Sequence, residues 1–459
     1  MGADTLSALD AGFLHIEEGG TAHQHIGGVL VLKGRAPSTA DLRALVGSRL
    51  DQVPRYRQKL AWPPAGLGRP RWVDDRFFDL DHHIRRTENS DPGGQAGLQA
   101  IADRFFSIKL DYDKPLWEML IVPVGAAASA VLHKTHHCLV DGVGGIDVMA
   151  VLVDAEKSPD DGDGESSEWS PDDEPSGLSL AADAVVDRVT APLGAARSAA
   201  GAVTSPIESA ERAARTAVGA GKSLVSRLDP APPSHYNRTI GPHRILRWTH
   251  VELDRVKDIK ATAGVTVNDV VLAVVSGMVR RHLDRLGALP DGGTLTVQVP
   301  VSVRAEQDGG NAITNVFCDL PINEPDPVAR LRRISGEMDQ LKGGSEAMGA
   351  QAMIGMMDFA PPVLAAQASR QFVSEEMFNF TVTNVPGPQM PLYFCGRELA
   401  EIVPVLPLFP KHAFGVAILS YNGSLCFGLL GERQIMADLD ELVDDLSESV
   451  DELEEALGQ

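Results

Sequence analysis

Hydrophobic and polar positions follow two different periods along this chain, and together these periods predict strands and helices in both halves. Apolar runs of strand length, either alternating with polar residues or continuous, are separated by segments with helical spacing of three and four. Both halves are therefore predicted to be layered α/β structures. The predicted strands cover 25–32, 120–124, 294–303, 378–385, 413–421 and 424–431, and the predicted helices cover 38–50, 94–107, 143–155, 267–285 and 327–341.

The last segment of the chain has a helical pattern of its own. Leucine and valine recur at spacings of three and four from Leu439 to Leu457, which places them on one face of a helix. From Asp438 to the end there are ten acidic residues and no basic one, a net charge of −10. An amphipathic helix with an acidic outer face is the prediction.

A second acidic stretch divides the chain. Residues 154–174 hold ten acidic residues and one lysine, and this composition is typical of a solvated linker. The Ala-rich residues 178–228 follow with scattered arginines, and they are predicted to be either connecting helix or a surface-lying lipid contact. The predicted organisation is an N-terminal domain over 1–155, a linker over 156–240 and a C-terminal domain over 241–459.

Composition narrows the class of protein. The chain has 459 residues, with 41 Lys and Arg against 63 Asp and Glu, so its formal net charge is −22. This charge argues against a nucleic-acid partner. The linker and the tail carry most of it, which leaves a nearly neutral body able to meet a lipid surface.

Cysteine usage and hydropathy bear on location. The four cysteines are scattered without CxxC spacing, which argues against disulfides and structural zinc and favours a reducing, cytoplasmic location. The N-terminus lacks a secretory pattern, and no run approaches about 18 apolar residues. Peripheral contact with a membrane or lipid inclusion is therefore the expected mode of lipid association.

The segment 129–149 concentrates the candidate chemistry. A strand predicted over 129–137 would place His136 and His137 on opposite faces, so that one of them faces a given cleft. Cys138 would then face away from His137 as a packed thiol. Asp141 and Gly142 follow in a loop before an apolar helix.

The spacing His136-His137-x-x-x-Asp141-Gly142 matches HHxxxDG, the signature of the CoA-dependent acyltransferase superfamily that includes chloramphenicol acetyltransferase and peptide-synthetase condensation domains. Further segments occur in the order seen in bacterial wax ester synthases/diacylglycerol acyltransferases, and the chain resembles that family along nearly its whole length. These segments are LSALDAGFL (6–14), PLW (115–117), VNDVVLAVVSG (267–277), PVSVR (300–304), GNAITN (310–315) and NVPGP (384–388).

The resemblance implies two chloramphenicol-acetyltransferase-like α/β domains with an active-site channel at their interface. It implies transfer of a long-chain acyl group from acyl-CoA, as co-substrate, to diacylglycerol, giving triacylglycerol without a further cofactor. A long-chain fatty alcohol is the alternative acceptor, and the product would then be a wax ester.

Within the motif, His137 is the predicted general base, because a neutral imidazole can remove the acceptor hydroxyl proton. No GxSxG elbow supports a covalent serine intermediate. Asp141 could orient the imidazole, or it could pair with a distant arginine as the resemblance implies, with Arg304 as the candidate. Gly142 would allow close approach of substrate or a left-handed turn. His136 completes the motif.

Several other motif residues have two interpretations. Thr266 and Asp269 have the spacing of a helix capping box, although the Asn268-Asp269 pair accompanies activity in the family that the chain resembles. Asn384 could donate a hydrogen bond near the substrate, or NVPGP could simply stiffen a strand exit. Trp117 is predicted to pack in the core.

Three rival functions are weighed. A metal site could use His133, His137 and Asp141, but a zinc hydrolase usually needs a Glu base and a further ligand, and neither is evident, so no metal is expected. A non-catalytic lipid-inclusion scaffold would be expected to lose the HHxxxDG residues. A condensation enzyme acting on a carrier protein would need a basic docking patch.

Overall fold

The computed structural model describes most of the chain and divides it into two compact units. The described residues are 4–88, 93–139, 151–157, 169–186, 230–290, 293–304, 311–343, 373–374 and 377–458. The first unit comprises Met1–Ala200, Met357–Ser369 and Pro388–Val403, and the second comprises Gly201–Met356, Arg370–Gly387 and Pro404–Gln459.

A mixed six-stranded sheet forms the centre of the first unit. Its strand order is β12-β13-β2-β7-β6-β5, with β2 and β6 antiparallel to β7 and β5 parallel to β6. The strands are β2 (His25–Lys33), β5 (Ile84–Arg86), β6 (Trp117–Pro123), β7 (Ala128–His136), β12 (Tyr393–Phe394) and β13 (Arg397–Val405).

Two of these strands come from the C-terminal half of the sequence. β12 and β13 add to the first unit's sheet next to β2, because β13 hydrogen-bonds along the free edge of β2. The contiguous C-terminal domain predicted over 241–459 therefore does not match the structure here. Hydrogen bonding between strands that lie far apart in sequence leaves no local pattern. The sequence therefore could not reveal that β12 and β13 belong to the first unit.

A smaller three-stranded sheet completes the described part of the first unit. Its order is β1-β4-β3, and Leu180 of helix α5 (Gly177–Val186) packs on Ala61 and Val73 of that sheet. The strands are β1 (Asp4–Thr5), β3 (Gln58–Ala61) and β4 (Arg71–Asp74), and the preceding helices are α1 (Ala8–Glu17), α2 (Thr39–Arg49), α3 (Leu80–His83) and α4 (Gly94–Ser107).

The second unit is a second six-stranded mixed sheet with helices on one face. The order is β10-β9-β11-β14-β15-β8, and β11 runs parallel to both β9 and β14. The elements are β8 (Arg244–Glu252), α6 (Leu253–Ala263), α7 (Val267–Arg285), β9 (Leu295–Arg304), β10 (Asn311–Leu320), α8 (Pro327–Gly343), β11 (Phe380–Pro386), β14 (Phe414–Tyr421), β15 (Ser424–Glu432) and α9 (Leu439–Ala456).

Alternation along these strands builds the second unit's core. Residues two apart, such as Val297 and Val299 on β9 or Phe427 and Leu429 on β15, are buried together with apolar residues of α7, α8 and α9. The helix α7 begins at the predicted capping box, in which Thr266 and Asp269 each accept a hydrogen bond from the other's backbone N–H.

The predicted elements agree closely with the described ones. The strands and helices differ from prediction by up to three residues at their ends, and α4 and α7 match in both bounds. The predicted helix over 143–155 lies mostly outside the described residues, as do most of the linker and most of the Ala-rich segment. The strand predicted over 129–137 differs in the secondary structure of one functional residue. It ends at His136, and His137 begins a 3-10 turn over His137–Leu139.

In the described part of the chain, a membrane-spanning helix is not found. Each helix by itself is too short or too polar, and α6 and α7 meet the criterion of length and apolarity only as a pair bent by 103°. The apolar residues of α7 are mostly buried in the second unit's core.

Candidate active site

The His136–His137 turn lies where β7 leaves the first unit's sheet. The His136 backbone N–H donates to the Leu116 carbonyl oxygen (2.9 Å), and the His137 N–H donates to the Gln24 carbonyl oxygen (2.8 Å). Leu116 belongs to the PLW segment, and Gln24 immediately precedes β2. The chain on both sides of β7 therefore fixes the turn that carries the two histidines.

His136 is a fully buried residue whose two ring nitrogens have different partners. Its Nδ1 accepts from the Cys138 backbone N–H (3.2 Å) and lies 2.9 Å from Cys138 Sγ. Its Nε2 lies 3.0 Å from Glu17 Oε2 and 3.4 Å from the Tyr112 hydroxyl. Because Nδ1 accepts from an amide, these bonds assign the ring hydrogen to Nε2, which donates it to Glu17.

His137 is half-buried, and its ring stacks on Phe13 of α1. The ring centroids are 3.9 Å apart with an interplanar angle of 23°. Since β7 has ended before His137, strand alternation does not set the direction of its side chain. The backbone bond to Gln24 and the Phe13 ring hold it instead, and its partial exposure leaves it accessible to a substrate.

Glu17, which the sequence analysis missed, is the buried acid of this site. It is 1% exposed, and its Oε2 accepts from the Gln24 backbone N–H as well as from His136. Burial raises the pKa of Glu17, but the hydrogen bond from His136 and the nearby His23 ring outweigh it and hold that pKa well below its ordinary range. Glu17 is therefore a carboxylate anion.

Cys138 has the environment of a packed thiol. It is fully buried, and burial, with the nearby Asp10 and Glu17 carboxylates, raises the pKa of its thiol well above 9.0. Cys138, His136 and Glu17 stand in the order of a nucleophile, a base and an acid. Burial and the raised pKa make this thiol a poor nucleophile.

Two further buried groups near the turn were also missed. Burial and the positive charge of Lys134 lower the pKa of His25 well below 6.5. Burial lowers the pKa of Lys134 itself to about 8 against the opposing effect of Glu118, and its Nζ donates to the Phe105 carbonyl at the end of α4 (3.0 Å). Lys134 therefore closes a helix C-terminus.

The other motif residues have more distant or structural positions. Trp117 is core, as predicted: it is 1% exposed, its Nε1–H donates to the Tyr56 carbonyl (2.9 Å) and its ring stacks on His83. Asp141 and Gly142 lie outside the described residues. Arg304 is the last residue of β9, but its side chain is not described, so its pairing with Asp141 stays a prediction.

In the second unit, Asn268 and Asn384 are brought together. Asn384 Nδ2 donates to Asn268 Oδ1 at 3.5 Å, while the neighbouring Asp269 serves the capping box and accepts from Ser335 Oγ (3.2 Å). Gly387 of NVPGP is required sterically, because a Cβ there would lie 2.3 Å from the Ser420 carbonyl oxygen. Helix capping and close strand packing thus account for Asp269 and Gly387.

Metal ligation was the main chemical rival. Among the described residues, which do not include Asp141, no three His, Cys, Asp or Glu side chains are grouped so as to hold a metal ion. At the turn, His136 and Glu17 hydrogen-bond to one another instead.

Comparison with protein families decides the relationship. The model for the wax ester synthase/diacylglycerol acyltransferase catalytic domain matches residues 6–271, and the WS/DGAT C-terminal domain matches residues 309–454. The chain belongs to the WS/DGAT family. It is therefore an acyl-CoA-dependent acyltransferase, as the HHxxxDG resemblance implied.

Individual WS/DGAT relatives match over nearly their whole lengths. The probable diacylglycerol O-acyltransferase tgs1 of Mycobacterium tuberculosis is 30% identical, with 95% of this chain and 93% of the relative covered. The probable diacylglycerol O-acyltransferase tgs2 of the same organism is 31% identical, with 96% of each chain covered.

Solved structures confirm the predicted α/β fold class. The WS/DGAT from Marinobacter aquaeolei VT8 matches with a TM-score of 0.70 and 24% identity, covering 99% of this chain and 100% of the other. The starter condensation domain of rhizomide synthetase RzmA, in complex with C8-CoA and Leu-SNAC, matches with a TM-score of 0.59 and 13% identity, covering 100% and 95%. At these identities the likeness concerns the fold alone.

Proposed function

We propose that this enzyme transfers a long-chain acyl group from acyl-CoA to the free hydroxyl of diacylglycerol, giving triacylglycerol and CoA. The support for this acceptor is that tgs1 and tgs2, both named as probable diacylglycerol O-acyltransferases, match 95% and 96% of the chain. The proposed reaction uses acyl-CoA as co-substrate and needs no further cofactor.

His137 is the proposed general base. The observation that supports this role is that its half-buried ring stacks on Phe13 and stays partly accessible. As the acceptor oxygen attacks the thioester carbonyl carbon, the imidazole takes the hydroxyl proton. The C–S bond then breaks, and the departing CoA thiolate takes that proton. The stacked Phe13 ring and the backbone bond to Gln24 hold the imidazole for both steps.

Direct transfer, without a covalent acyl-enzyme, is part of the proposal. The thiol beside the catalytic turn, Cys138, is buried with a raised pKa. The sequence offers no GxSxG serine. After incubation with acyl-CoA alone, intact-mass spectrometry should show the unmodified chain, and an adduct of one acyl group would contradict direct transfer.

The remaining motif residues are proposed to support the site. Asp141 and Arg304 would form the ion pair that the family resemblance implies, and Gly142 would allow the backbone to approach the substrate. The Asn268–Asn384 pair would give structural support, in keeping with the family resemblance. His136 supports His137 through the turn.

The principal test removes the base. His137→Ala should lower triacylglycerol formation from a labelled long-chain acyl-CoA and diacylglycerol by at least about a hundredfold, since general-base catalysis is typically worth about 10²–10⁴. His250→Gln, at an exposed position on β8, is the matched control and should keep wild-type activity. A folded His137→Ala protein with wild-type activity would overturn the assignment.

A long-chain fatty alcohol is the second proposed acceptor, because the structurally similar Marinobacter enzyme is named as both wax ester synthase and diacylglycerol acyltransferase. Offering diacylglycerol and hexadecanol in parallel reactions with one acyl-CoA separates the two activities. The ratio of triacylglycerol to wax ester then identifies the preferred acceptor.

Peripheral contact with a membrane or lipid inclusion is proposed for the delivery of these acceptors. The first unit supports it with large apolar side chains that remain exposed on α5, where Leu178 is 82% exposed and Val185 is 53% exposed. Flotation with diacylglycerol-containing vesicles should carry the wild type upward, and Leu178→Ser/Val185→Ser should reduce the bound fraction. Equal flotation of both proteins would contradict contact through α5.

A further inference from the structure

We infer that Glu17 is the positioning residue of the catalytic turn, an inference that rests on the proposed role of His137 as the base. Glu17 lies 119 residues before His136 in the sequence, yet its carboxylate is buried directly against that ring. The reaction described above gives this carboxylate no part in proton transfer. Its contacts assign it the task of holding both histidines in place.

One oxygen atom of Glu17 connects the two histidines by separate routes. Oε2 accepts from His136 Nε2 at 3.0 Å and from the Gln24 backbone N–H at 3.1 Å. The Gln24 carbonyl in turn accepts the His137 N–H at 2.8 Å. The carboxylate therefore holds the His136 ring directly. It holds the His137 backbone indirectly, through the N–H and carbonyl of Gln24.

The hydrogen-bond directions at His136 make a carboxylate the fitting partner. Its Nδ1 accepts from the Cys138 N–H, so its Nε2 has a hydrogen to donate. A carboxylate only accepts, and one of its oxygens can take two donors at once. Bonds to an ionised acceptor are about twice as strong as bonds between neutral groups, which favours one fixed orientation of this ring.

The helix that carries Glu17 also supports His137. Glu17 and Phe13 are four residues apart on α1, so they lie on the same face of that helix. Phe13 stacks on the His137 ring while Glu17 binds the His136 ring. One helix face therefore contacts both histidines, and the buried carboxylate is the polar half of that contact.

The surroundings of Glu17 keep it ionised without placing it near bulk solvent. Lys109 Nζ lies 3.3 Å from its Oε1, and His23 lies 3.7 Å from the same oxygen. The Lys109 ammonium therefore offsets the negative charge of the carboxylate. A charged acceptor is thereby held beside His136.

The first test compares Glu17→Gln with its exposed neighbour variant Glu18→Gln. Glu17→Gln keeps the size of the side chain but removes its charge, and it should lower kcat by about tenfold to a hundredfold because small misplacements of a catalytic group have effects of that size. The KM for acyl-CoA should change by less than about twofold. Glu18→Gln should match the wild type in both constants.

The outcomes separate this inference from the proposed function. An inactive wild type would remove the proposed function itself. An active wild type together with a folded Glu17→Gln of unchanged kcat would overturn the positioning role alone. A Glu17→Gln protein with a higher KM for acyl-CoA and an unchanged kcat would also overturn the positioning role, because that result indicates that Glu17 contributes to substrate binding.

A second pair of variants tests the same contact from the histidine side, should Glu17→Gln fail to fold. His136→Gln can present an amide donor toward Glu17 near the position of Nε2, whereas His136→Asn is too short to do so. We expect His136→Gln to retain at least about tenfold more kcat than His136→Asn. Equal losses in two folded proteins would overturn the inference.

Discussion

In the first unit the Glu17 carboxylate is buried beside His136, whereas in the second unit a terminal helix carries a row of acidic residues that pair with arginines. Glu17 is 1% exposed and is shared by His136 and the Gln24 backbone. The acids of α9 instead pair with arginines of β8, α6, α7 and α8, of which four are partly exposed and Arg330 is buried. Those arginines are Arg247, Arg255, Arg281, Arg285 and Arg330.

The comparison separates two uses of charge. Removing one partner of a buried pair costs about 3–5 kcal/mol, because the other partner stays buried without compensation. An exposed pair is worth about 0–1 kcal/mol. The buried Glu17 carboxylate is thus expected to control geometry and activity, and the exposed ion pairs of α9 are expected to change stability only slightly.

The largest effect in the second unit should come from the apolar face of α9. Leu446 is fully buried in the core, and Leu446→Ala should lower the free energy of unfolding by about 2–5 kcal/mol. Glu448→Gln, which removes an exposed partner of Arg281, should change it by at most about 1 kcal/mol. Urea denaturation followed by circular dichroism measures both. Equal effects would mean that the ion pairs hold α9 in place.

An effect of comparable size should appear in the first unit on acidification. Burial lowers the pKa of His83 from 6.5 to about 4, despite its bond to the Trp117 carbonyl. Between these two values the unfolded chain binds a proton that the folded chain does not, so stability falls as pH falls from 6.5 to 4. The loss from His83 should reach about 3 kcal/mol. Thermal unfolding across this range measures it.

His83→Asn keeps a donor for the Trp117 carbonyl and should lose this part of the pH dependence. Glu17 acts in a different window, since its lowered pKa gives stability that is present above 4.5 and is lost as pH falls through the lower folded value. A wild-type protein equally stable at pH 6.5 and pH 4 would contradict both the neutral state and the burial of His83.

The smallest expected effect is that of salt. Raising NaCl from 0.05 to 1 M screens the outer ion pairs of α9 and should lower Tm by no more than about 4 °C, whereas kcat should keep its value because the Glu17–His136 contact is buried. Arg281→Gln/Arg285→Gln should reduce the salt effect. A large fall in kcat with unchanged Tm would contradict this comparison, because it would mean that salt disturbs the Glu17–His136 contact and not the ion pairs of α9.

Local periodicity carried the prediction of most elements, because each element's spacing reflects its own buried face. The bounds of α4 and α7 follow from the sequence alone. The end of β7 did not, since the transition at His137 depends on a hydrogen bond to Gln24, more than a hundred residues away. Alternation was therefore extended one residue too far.

The motif identified the histidines of the candidate site but not their surroundings. Glu17 and Glu18 are the same residue type and adjacent in sequence, yet Glu17 is buried and Glu18 is exposed. The available signal was helical spacing: Glu17 follows Phe13 by four residues, so the two share a face. Without knowing that this face meets His136 and His137, that spacing has no functional meaning. Asp141, Gly142 and Arg304 remain predictions.

The place of β13 in the first unit's sheet has a consequence for biosynthesis. During translation, β2 emerges early but acquires its neighbour β13 only after residue 405 has left the ribosome. Until then β2 presents an unpaired edge, the kind of surface at which nascent chains aggregate. A fragment ending at the acidic linker would keep that edge permanently open, so expression of the isolated N-terminal half should give insoluble protein.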